Sequence, residues 1–490
     1  MNLQEYMQLD GIGLASLVQA KDVSPTELLT CALQRLEQVN PSLNAVIHTF
    51  AEKAMSAANQ LPSSQPFSGV PFLLKDLQCA LAGEPMSMGS RGIRWTPETD
   101  STLASRYRSS GLNIFGKTNT PEYGLIITTE PKAFGPTHNP HRQGYSAGGS
   151  SGGSAAAVVS GIVPMAHGGD GGGSIRFPAA WCGAFGLKPS RNRTPMGPKI
   201  GEDWAGAVVE HAITRSVRDS AALLDATLGE DVASPFSIPK PAKPYVEMLK
   251  DSTIKPMKII ASAQPHIRTQ VDPEVSQAVI DTATKLENLG HTVEWRDPEF
   301  NHDDLWSSFF IVVAAHVAAV QKEIKQTFGR KAARLLEPQT KNLAMIGRSF
   351  SAGDLVMALN QWQNIRAHTH GYMLGYDAYL CPTVPTTAVK HRALLKSPAE
   401  EWLLEMSSHF NMGKLSFRLG LAEQFAMPVL EKMAFTILGN ITGLPAASLP
   451  LAKHSNGLPI GVQMYGQFAE EETLFQLAKQ LEPDFIGCKL

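Results

Sequence analysis

The 490 residues, of which 43% are hydrophobic and 18% charged, are enough to bury a large core. A formal net charge of −2 excludes a basic field that would hold nucleic acid non-specifically. The five widely spaced cysteines exclude a disulfide framework and a CxxC zinc site, and with an N-terminus that lacks signal-peptide features they predict a cytoplasmic protein.

The first half of the chain alternates helical patterns with short apolar runs. Residues 13–40 predict helices, with Ser24–Glu27 as a capping box that has proline at the first helical position. Asp100 is the expected N-cap of a helix that runs through Arg108. A helix of small residues is expected after Ser154. Apolar runs predict buried strands at residues 70–77, 112–115 and 162–166.

The second half continues this alternation after a proline-rich connection at residues 234–244. The predicted elements are a strand at 258–261, a helix from Asp272, a strand at 291–295, helices over most of 300–435, a strand at 458–465 and a helix at 470–481. Asn456-Gly457 is a hairpin turn signal before the last strand. Strands that alternate with helices predict an α/β core.

The longest apolar stretch, Phe309–Val320, is too short to span a bilayer and contains His316. It predicts a buried helix, so no membrane association is expected.

Two glycine- and serine-rich runs, Gly148–Ser154 and Gly171–Arg176, are the most informative feature of the chain. Glycine lets backbone amides converge on one point, and a serine in such a turn can be a nucleophile beside its own oxyanion donors. The apolar residues between the runs argue against flexible linkers. With a lysine in an apolar segment upstream, the runs suggest acyl transfer by serine without histidine.

That lysine is Lys75, in the apolar run 70–77 beside Asp76. Adjacent strand residues point to opposite faces, so Asp76 should not easily neutralise Lys75. Desolvation favours the neutral amine and makes lysine a usable base near neutral pH. From this segment alone, a purely structural lysine is the favoured interpretation.

Three other patterns suggest different chemistry. Gly111–Thr118 satisfies GxxxxGK[ST], but a helix precedes it and no continuous helix follows, unlike a phosphate-binding loop. Gly148–Gly152 satisfies GxSxG and would make Ser150 the elbow nucleophile of an α/β-hydrolase, although the preceding residues resemble a loop. His138 and His141 have the spacing of a metal pair without further ligands, so no metal is expected.

Blocks over most of the chain resemble the amidase signature family. The most specific are Val70–Asp76, Gly148–Ser154 and Asp170–Ala179, and similar flanking blocks are Gly116–Glu122, Cys182–Pro189, Asn440–Ala446 and Gly457–Gln463. The resemblance implies one α/β domain over residues 1–490, with a central mixed β-sheet covered by helices on both faces. It also implies a signature core at residues 70–200 and a variable helical region at about 300–435 that shapes the substrate site.

By position, the resemblance implies Ser174 as nucleophile, Ser150 on a cis peptide as bridging serine, and Lys75 as a neutral base. Lys75 would take the proton through Ser150 and later help to protonate the leaving amine. The implied supporting groups are the backbone amides of Gly171, Gly172, Gly173 and Ser174 as oxyanion hole, Ser151 as a hydrogen-bond partner of Lys75, and Asp170 and Arg176 as braces of the turn. Gly171 departs from the threonine, isoleucine or alanine of many relatives, which could loosen the oxyanion turn.

Within the family, Thr128–Pro131, Ala166–Asp170 and Pro189–Arg193 look most like the 6-aminohexanoate cyclic dimer hydrolases. This likeness implies a small, fairly apolar amide, cyclic or linear and oligomeric, rather than free glutamine. It makes Leu125, Asp203 and His316 candidate contacts of the substrate pocket.

The sequence thus predicts a serine amidohydrolase that cleaves C–N amide bonds through an acyl-enzyme without a cofactor. The first alternative is the glutaminase A subunit of a tRNA-dependent amidotransferase, which shares these blocks but works inside a complex. A fatty-amide hydrolase is less expected because no membrane anchor is evident. The expected partner is a small-molecule amide, with neither nucleic acid nor membrane, and a homodimer is the oligomer considered.

Overall fold

The structure, a computed structural model, describes the chain apart from residues 63, 252–253, 396, 398, 401–420 and 488–490. The strands are β1 Val46–Thr49, β2 Pro71–Lys75, β3 Asn113–Thr118, β4 His138–Asn139, β5 Arg142–Ser146, β6 Met165–Asp170, β7 Phe185–Lys188, β8 Val209–Thr214, β9 Lys258–Ala261, β10 Thr292–Trp295, β11 Ala378–Pro382, β12 Ala446–Lys453 and β13 Pro459–Gly466.

The helices are α1 Leu3–Gln8, α2 Gly11–Ala20, α3 Pro25–Leu43, α4 Ala51–Ala58, α5 Thr102–Ser109, α6 Gly152–Val159, α7 Arg176–Cys182, α8 Val217–Thr227, α9 Tyr245–Met248, α10 Pro273–Asn288, α11 His302–Thr327, α12 Gly329–Leu335, α13 Pro338–Gly347, α14 Ala352–Met373, α15 Leu421–Leu430, α16 Ile437–Thr442 and α17 Glu471–Leu481.

A mixed sheet of 11 strands forms the centre of the fold, in the order β1-β3-β2-β6-β8-β7-β12-β13-β11-β9-β10. Strand β2 lies parallel between β3 and β6, whereas β6 pairs antiparallel with β8. Every residue of β2 is buried, as expected of a central parallel strand. The predicted βαβ unit is confirmed, because β9 and β10 pair in parallel around α10.

Helices cover both faces of this sheet. On β13, Met464 belongs to one hydrophobic core and the adjacent Tyr465 to another, and adjacent strand residues point to opposite faces. Helices α8, α10 and α17 contribute to the core around Met464, and α11, α14 and α16 to the core around Tyr465. A third core joins the N-terminal helices to β2, β3 and β6. The α/β fold with a central mixed sheet is therefore confirmed.

The capping box at Ser24 is confirmed, but the predicted cap of α5 is wrong by one residue. Ser101 is the N-cap, and its side chain accepts a hydrogen bond from the Ala104 N–H at 3.2 Å. Asp100 instead accepts from the Ala82 N–H and pairs with Arg108 at 2.9 Å. Aspartate and serine are equally good caps, so local propensity does not choose between neighbours.

Two strands differ from their predicted positions. The strand predicted at residues 162–166 is β6, which begins at Met165 and runs on through the polar but fully buried His167 to Asp170. The segment before Gly148, expected to be a loop, contains the two-stranded sheet of β4 and β5. Most of β5 is exposed, so it lacks the apolar run by which sequence reveals a buried strand.

Helix α11 is longer than the apolar stretch that predicted it, because polar residues extend it at both ends. Among the described residues it alone is long and apolar enough to cross a membrane by length and composition. It packs as a core helix against α13 and α14, with Leu305, Phe309 and Val312 buried. Its position brings Phe309 to the cavity described below.

Candidate active site

Lys75 ends the central strand β2 and is buried between the neighbouring strands. Its Nζ donates a hydrogen bond to Ser150 Oγ at 2.6 Å and lies 3.5 Å from the carbonyl oxygen of Gly169. Burial lowers the pKa of Lys75 to about 7, against the opposing effects of the Glu210 and Asp170 carboxylates. Near neutral pH this amine can therefore accept a proton.

Ser150 lies in a tightly packed glycine turn just before α6. The Gly149–Ser150 peptide bond is cis, and Gly148 has a φ of 80°. A Cβ at Gly148 would lie 2.7 Å from Pro178 Cα, and one at Gly149 would lie 2.9 Å from the backbone of Ile127. The glycines of this run are thus required by close backbone approach, which explains why the segment is not a linker.

Ser174 follows the second glycine turn, between β6 and α7. Asp170 accepts hydrogen bonds from the backbone N–H of Gly173 at 2.7 Å and of Ile175 at 3.2 Å. A buried ion pair joins Asp170 to Arg176 Nε at 2.9 Å and holds the pKa of this carboxyl well below its usual range despite burial. Asn440 also donates to Asp170 at 2.8 Å. This network fixes the turn to the strand from which it starts.

The same network corrects the expected set of oxyanion donors. The N–H of Gly173 is already bonded to Asp170, so it is not free for a ligand. The backbone N–H groups of Gly171, Gly172 and Ser174 have no hydrogen-bond acceptor within the described part of the chain. Three amides of the turn therefore remain available to a developing negative charge.

Gly171, expected to loosen the turn, is instead covered by an aromatic ring. A Cβ at this position would lie 3.1 Å from two ring atoms of Trp204 and 3.1 Å from Val208. Trp204 has a left-handed φ of 48°, and its ring makes an edge contact with Phe309. The missing side chain of Gly171 is thus the space that Trp204 occupies.

Of two neighbours of the catalytic candidates, Ser151 has another partner than the sequence suggested, whereas Asp76 behaves as expected. Ser151 Oγ donates to the Gly169 carbonyl at 3.3 Å, and no hydrogen bond joins it to Lys75, so the two groups meet only at that carbonyl. Asp76 accepts hydrogen bonds from Ser87 and leaves Lys75 unneutralised, as its position on the strand predicted.

Behind Lys75 lies a buried pair that sequence reasoning missed. The Lys75 backbone N–H donates to His167 Nδ1 at 3.3 Å, and His167 Nε2 lies 3.1 Å from Glu210 Oε1. Because Nδ1 accepts, the neutral ring carries its proton on Nε2 and donates it to Glu210. A histidine inside a strand beside the glycine turn was the available signal, but its partner is distant in sequence.

Ser174 opens onto a cavity with two arms. We call the first the apolar arm: it has a volume of about 170 Å³ and is lined by Ile127, Phe309, Val313, Leu343, Met433 and further residues, of which Gln339 and Asn342 are polar. We call the second the polar arm: it has a volume of about 670 Å³ and its lining includes Lys75, Gln78, Ser150, Asp203 and Glu323. Both arms are bordered by Gly124, Leu125, Ser174 and Trp204, so they meet at Ser174.

Of the three candidate substrate contacts, two line the cavity and one does not. Leu125 borders both arms and Asp203 lines the polar arm. His316 lines neither arm; its Nδ1 lies 2.8 Å from the Val312 carbonyl of its own helix. Phe309 and Trp204, which sequence reasoning did not select, are at the cavity instead.

The residues of the phosphate-loop and metal-pair motifs make contacts within the fold. Gly111–Thr118 covers β3, where buried Lys117 donates to the Cys79 carbonyl, and no helix follows as a phosphate loop requires. His138 contacts His391, whereas His141 contacts the Cys182 carbonyl. Within the described residues, no group of three or more His, Cys, Asp or Glu is arranged to hold a metal. The four described cysteines are free and buried, and Cys488 lies outside the described residues.

Comparison with known proteins adds to this geometry. The sequence profile of the amidase family matches residues 27–475. The chain is 34% identical over 487 residues to a 6-aminohexanoate-cyclic-dimer hydrolase of Paenarthrobacter ureafaciens, covering 96% of this chain and 94% of that protein. A structure of 6-aminohexanoate cyclic dimer hydrolase complexed with substrate superposes with a TM-score of 0.88 at 31% identity, covering 98% and 97% of the two chains. A bacterial aryl acylamidase structure superposes with a TM-score of 0.84 at 25% identity, covering 97% and 96%.

Proposed function

The chain belongs to the amidase signature family and is an amidase, and from this premise we propose that it hydrolyses small, fairly apolar amides, linear or cyclic, through an acyl-enzyme on Ser174. Its relatives act on different amides, a cyclic dimer of 6-aminohexanoate in one case and aryl acylamides in another. The size and lining of the apolar arm support a small apolar substrate portion.

In the proposed mechanism, Lys75 accepts the Ser150 proton while Ser150 accepts the proton of Ser174. The Ser174 oxygen then attacks the amide carbonyl, and the backbone amides of Gly171 and its neighbours stabilise the oxyanion. As the C–N bond breaks, the nitrogen receives a proton through Ser150 and leaves as an amine. Water next attacks the ester, the same relay accepts its proton, and the acid is released with Ser174 regenerated.

One observation carries this proposal: the 2.6 Å hydrogen bond from a fully buried, readily deprotonated Lys75 to Ser150, in the cavity that Ser174 also lines. No histidine lines this cavity within the described residues. A buried lysine without a partner that fully neutralises it is costly to maintain, so its presence at a serine pair supports a catalytic role.

Labelling by a fluorophosphonate, followed by mass spectrometry of the intact protein, tests the assignment. We expect one adduct in the wild type, none in Ser174→Ala and slower labelling in Ser150→Ala. An adduct that persists in Ser174→Ala but is lost in Ser150→Ala would instead support the elbow nucleophile of an α/β-hydrolase. Ser160→Ala is the control, since Ser160 caps the end of α6 away from the cavity and should label like the wild type.

A further inference from the structure

The two arms of the cavity differ in which groups of the proton relay they contain. Lys75 and Ser150 line the polar arm but not the apolar arm, whereas Ser174 borders both. Under the proposed function, on which this inference rests, the leaving nitrogen receives its proton from the Lys75–Ser150 pair. The amine part of the substrate therefore lies in the polar arm, and the acyl part lies in the apolar arm.

The apolar arm limits the size of the acyl group. Phe309 and Met433 line it beside the oxyanion turn, where a Cβ at Gly172 would lie 2.4 Å from Met433 Cε. Its volume of about 170 Å³ is close to that of a protein cavity of about 150 Å³ that admits benzene. An acyl group of the size of benzoyl or a short alkyl chain matches this volume.

The polar arm contains a carboxylate, that of Asp203, without an ion pair among the described residues. Asp203 accepts hydrogen bonds from the Trp204 N–H at 2.8 Å and from Gln78 Nε2 at 3.0 Å but forms no ion pair. The exposed Glu323 also lines the arm and has no ion-pair partner among the described residues. An uncompensated, largely desolvated carboxylate such as that of Asp203 attracts a cation.

The other described charged groups around this arm do not form an ion pair with Asp203. Asp100 is paired with Arg108. The exposed Lys199, which also lines the arm, offsets the charge of the exposed Glu323. Lys75 is neutral for much of its population near pH 7 because burial lowers its pKa to about 7. Burial raises the pKa of Asp203, and His316 partly opposes this effect. The His316 ring itself contacts the Val312 carbonyl of its own helix.

We propose that the polar arm is a subsite for a cationic group on the amine part of the substrate, with Asp203 as its partner. The substrate class is then an N-(aminoalkyl) amide of a small aromatic or short aliphatic acid. The Asp203–Trp204 turn is the specificity element, because the aspartate contacts the amine part and Trp204 borders both arms.

The test compares N-(aminobutyl)benzamide with its neutral isostere N-pentylbenzamide, and includes the aminopropyl and aminopentyl homologues. We expect the wild type to favour the best cationic amide by about tenfold or more in kcat/KM, and this ratio to fall with added salt. In Asp203→Asn the ratio should fall close to one, and in Glu323→Gln it should fall by less. Asp281→Asn, which removes an exposed carboxylate on α10, is the control and should keep the wild-type ratio.

The outcomes separate the subsite from the proposed function. A wild type that cleaves both amides equally, or an Asp203→Asn ratio equal to that of the wild type, overturns the subsite. Labelling of Ser174 by fluorophosphonate without cleavage of either benzamide also overturns it, while the nucleophile assignment stands. If Ser174 is not labelled and no amide is cleaved, the proposed function itself is overturned. If Asp203→Asn does not fold, Glu323→Gln and the salt dependence of the wild-type ratio decide.

Discussion

At the scale of single residues, the proposed role of Lys75 as a base rests on its surroundings. Desolvation lowers its pKa to about 7, and the negative charges of Glu210 and Asp170 keep it from falling further. Its backbone is held by His167, which is in turn bonded to Glu210. Glu210 therefore affects Lys75 both through its charge and through its contact with His167.

The wild-type pH profile follows from that pKa. In the proposed mechanism the neutral amine is the active form, so we expect kcat/KM to be flat above about pH 7 and to fall by about tenfold per pH unit below it. Rates with a benzamide substrate from about pH 5 to about pH 9 would measure this acid limb. A profile that stays level through the acid range would contradict Lys75 as the base.

Glu210→Gln should move that acid limb to lower pH. The variant removes the negative charge that raises the pKa of Lys75 but keeps an oxygen that can accept the His167 hydrogen bond. We expect the apparent pKa of kcat/KM to drop by about half a unit or more. Glu274→Gln, at an exposed site, is the control and should leave the limb in place. A lower rate with an unmoved limb would mean that Glu210 has only a structural role.

At the scale of elements, the turn between β6 and α7 depends on a buried ion pair. Asp170→Asn would leave Arg176 charged and without its carboxylate partner, which typically costs about 3–5 kcal/mol. We expect a clear fall in the melting temperature and loss of fluorophosphonate labelling. Asp484→Asn breaks the exposed pair with Lys285 and should cost at most about 1 kcal/mol. Equal losses in the two variants would argue against a special role for this turn.

Gly171→Thr tests how the turn and the Trp204 segment fit together. The new side chain would meet the indole ring and Val208 at distances that force one of them to move. We expect the free energy of unfolding to fall by about 1–3 kcal/mol and the preference between cationic and neutral amides to weaken. Circular dichroism melts and the same pair of benzamides measure both effects. Unchanged stability would show that Trp204 can move aside freely.

At the scale of the whole molecule, burial of the Lys75 amine lowers the stability of the folded protein. Lys75→Met should abolish turnover yet stabilise the protein, on the order of 1–4 kcal/mol near pH 7, because it replaces a desolvated amine with an apolar chain of similar length. Calorimetry or denaturant unfolding of the two proteins would measure the gain. A less stable variant would contradict this account of Lys75.

The pH dependence of that gain has a definite sign. An unfolded lysine keeps its proton up to about pH 10.4, whereas folded Lys75 loses it above about 7. The wild type therefore releases a proton on folding within this window, and its stability rises with pH there. The advantage of Lys75→Met should shrink from about pH 7 to about pH 10. An advantage that grows over this range would contradict the lowered pKa.

Local signals made much of the fold and site predictable. The buried strand β2 is an apolar run up to Lys75, and Ser24 caps α3 through contacts three residues apart. In both glycine turns the glycines and the candidate serine are adjacent in the sequence. Where two neighbours had equal propensity, as at Asp100 and Ser101, the sequence could not choose between them.

By itself, then, the sequence determined the class of fold, the family and the candidates Lys75, Ser150 and Ser174, because each depends on residues adjacent in the chain. Only the tertiary structure decided what surrounds them. His167 meets Glu210 across two strands, and the arms are built from segments as distant as Leu125 and Met433. Burial, charge balance and cavity shape arise when such segments pack together, so no local pattern encodes them.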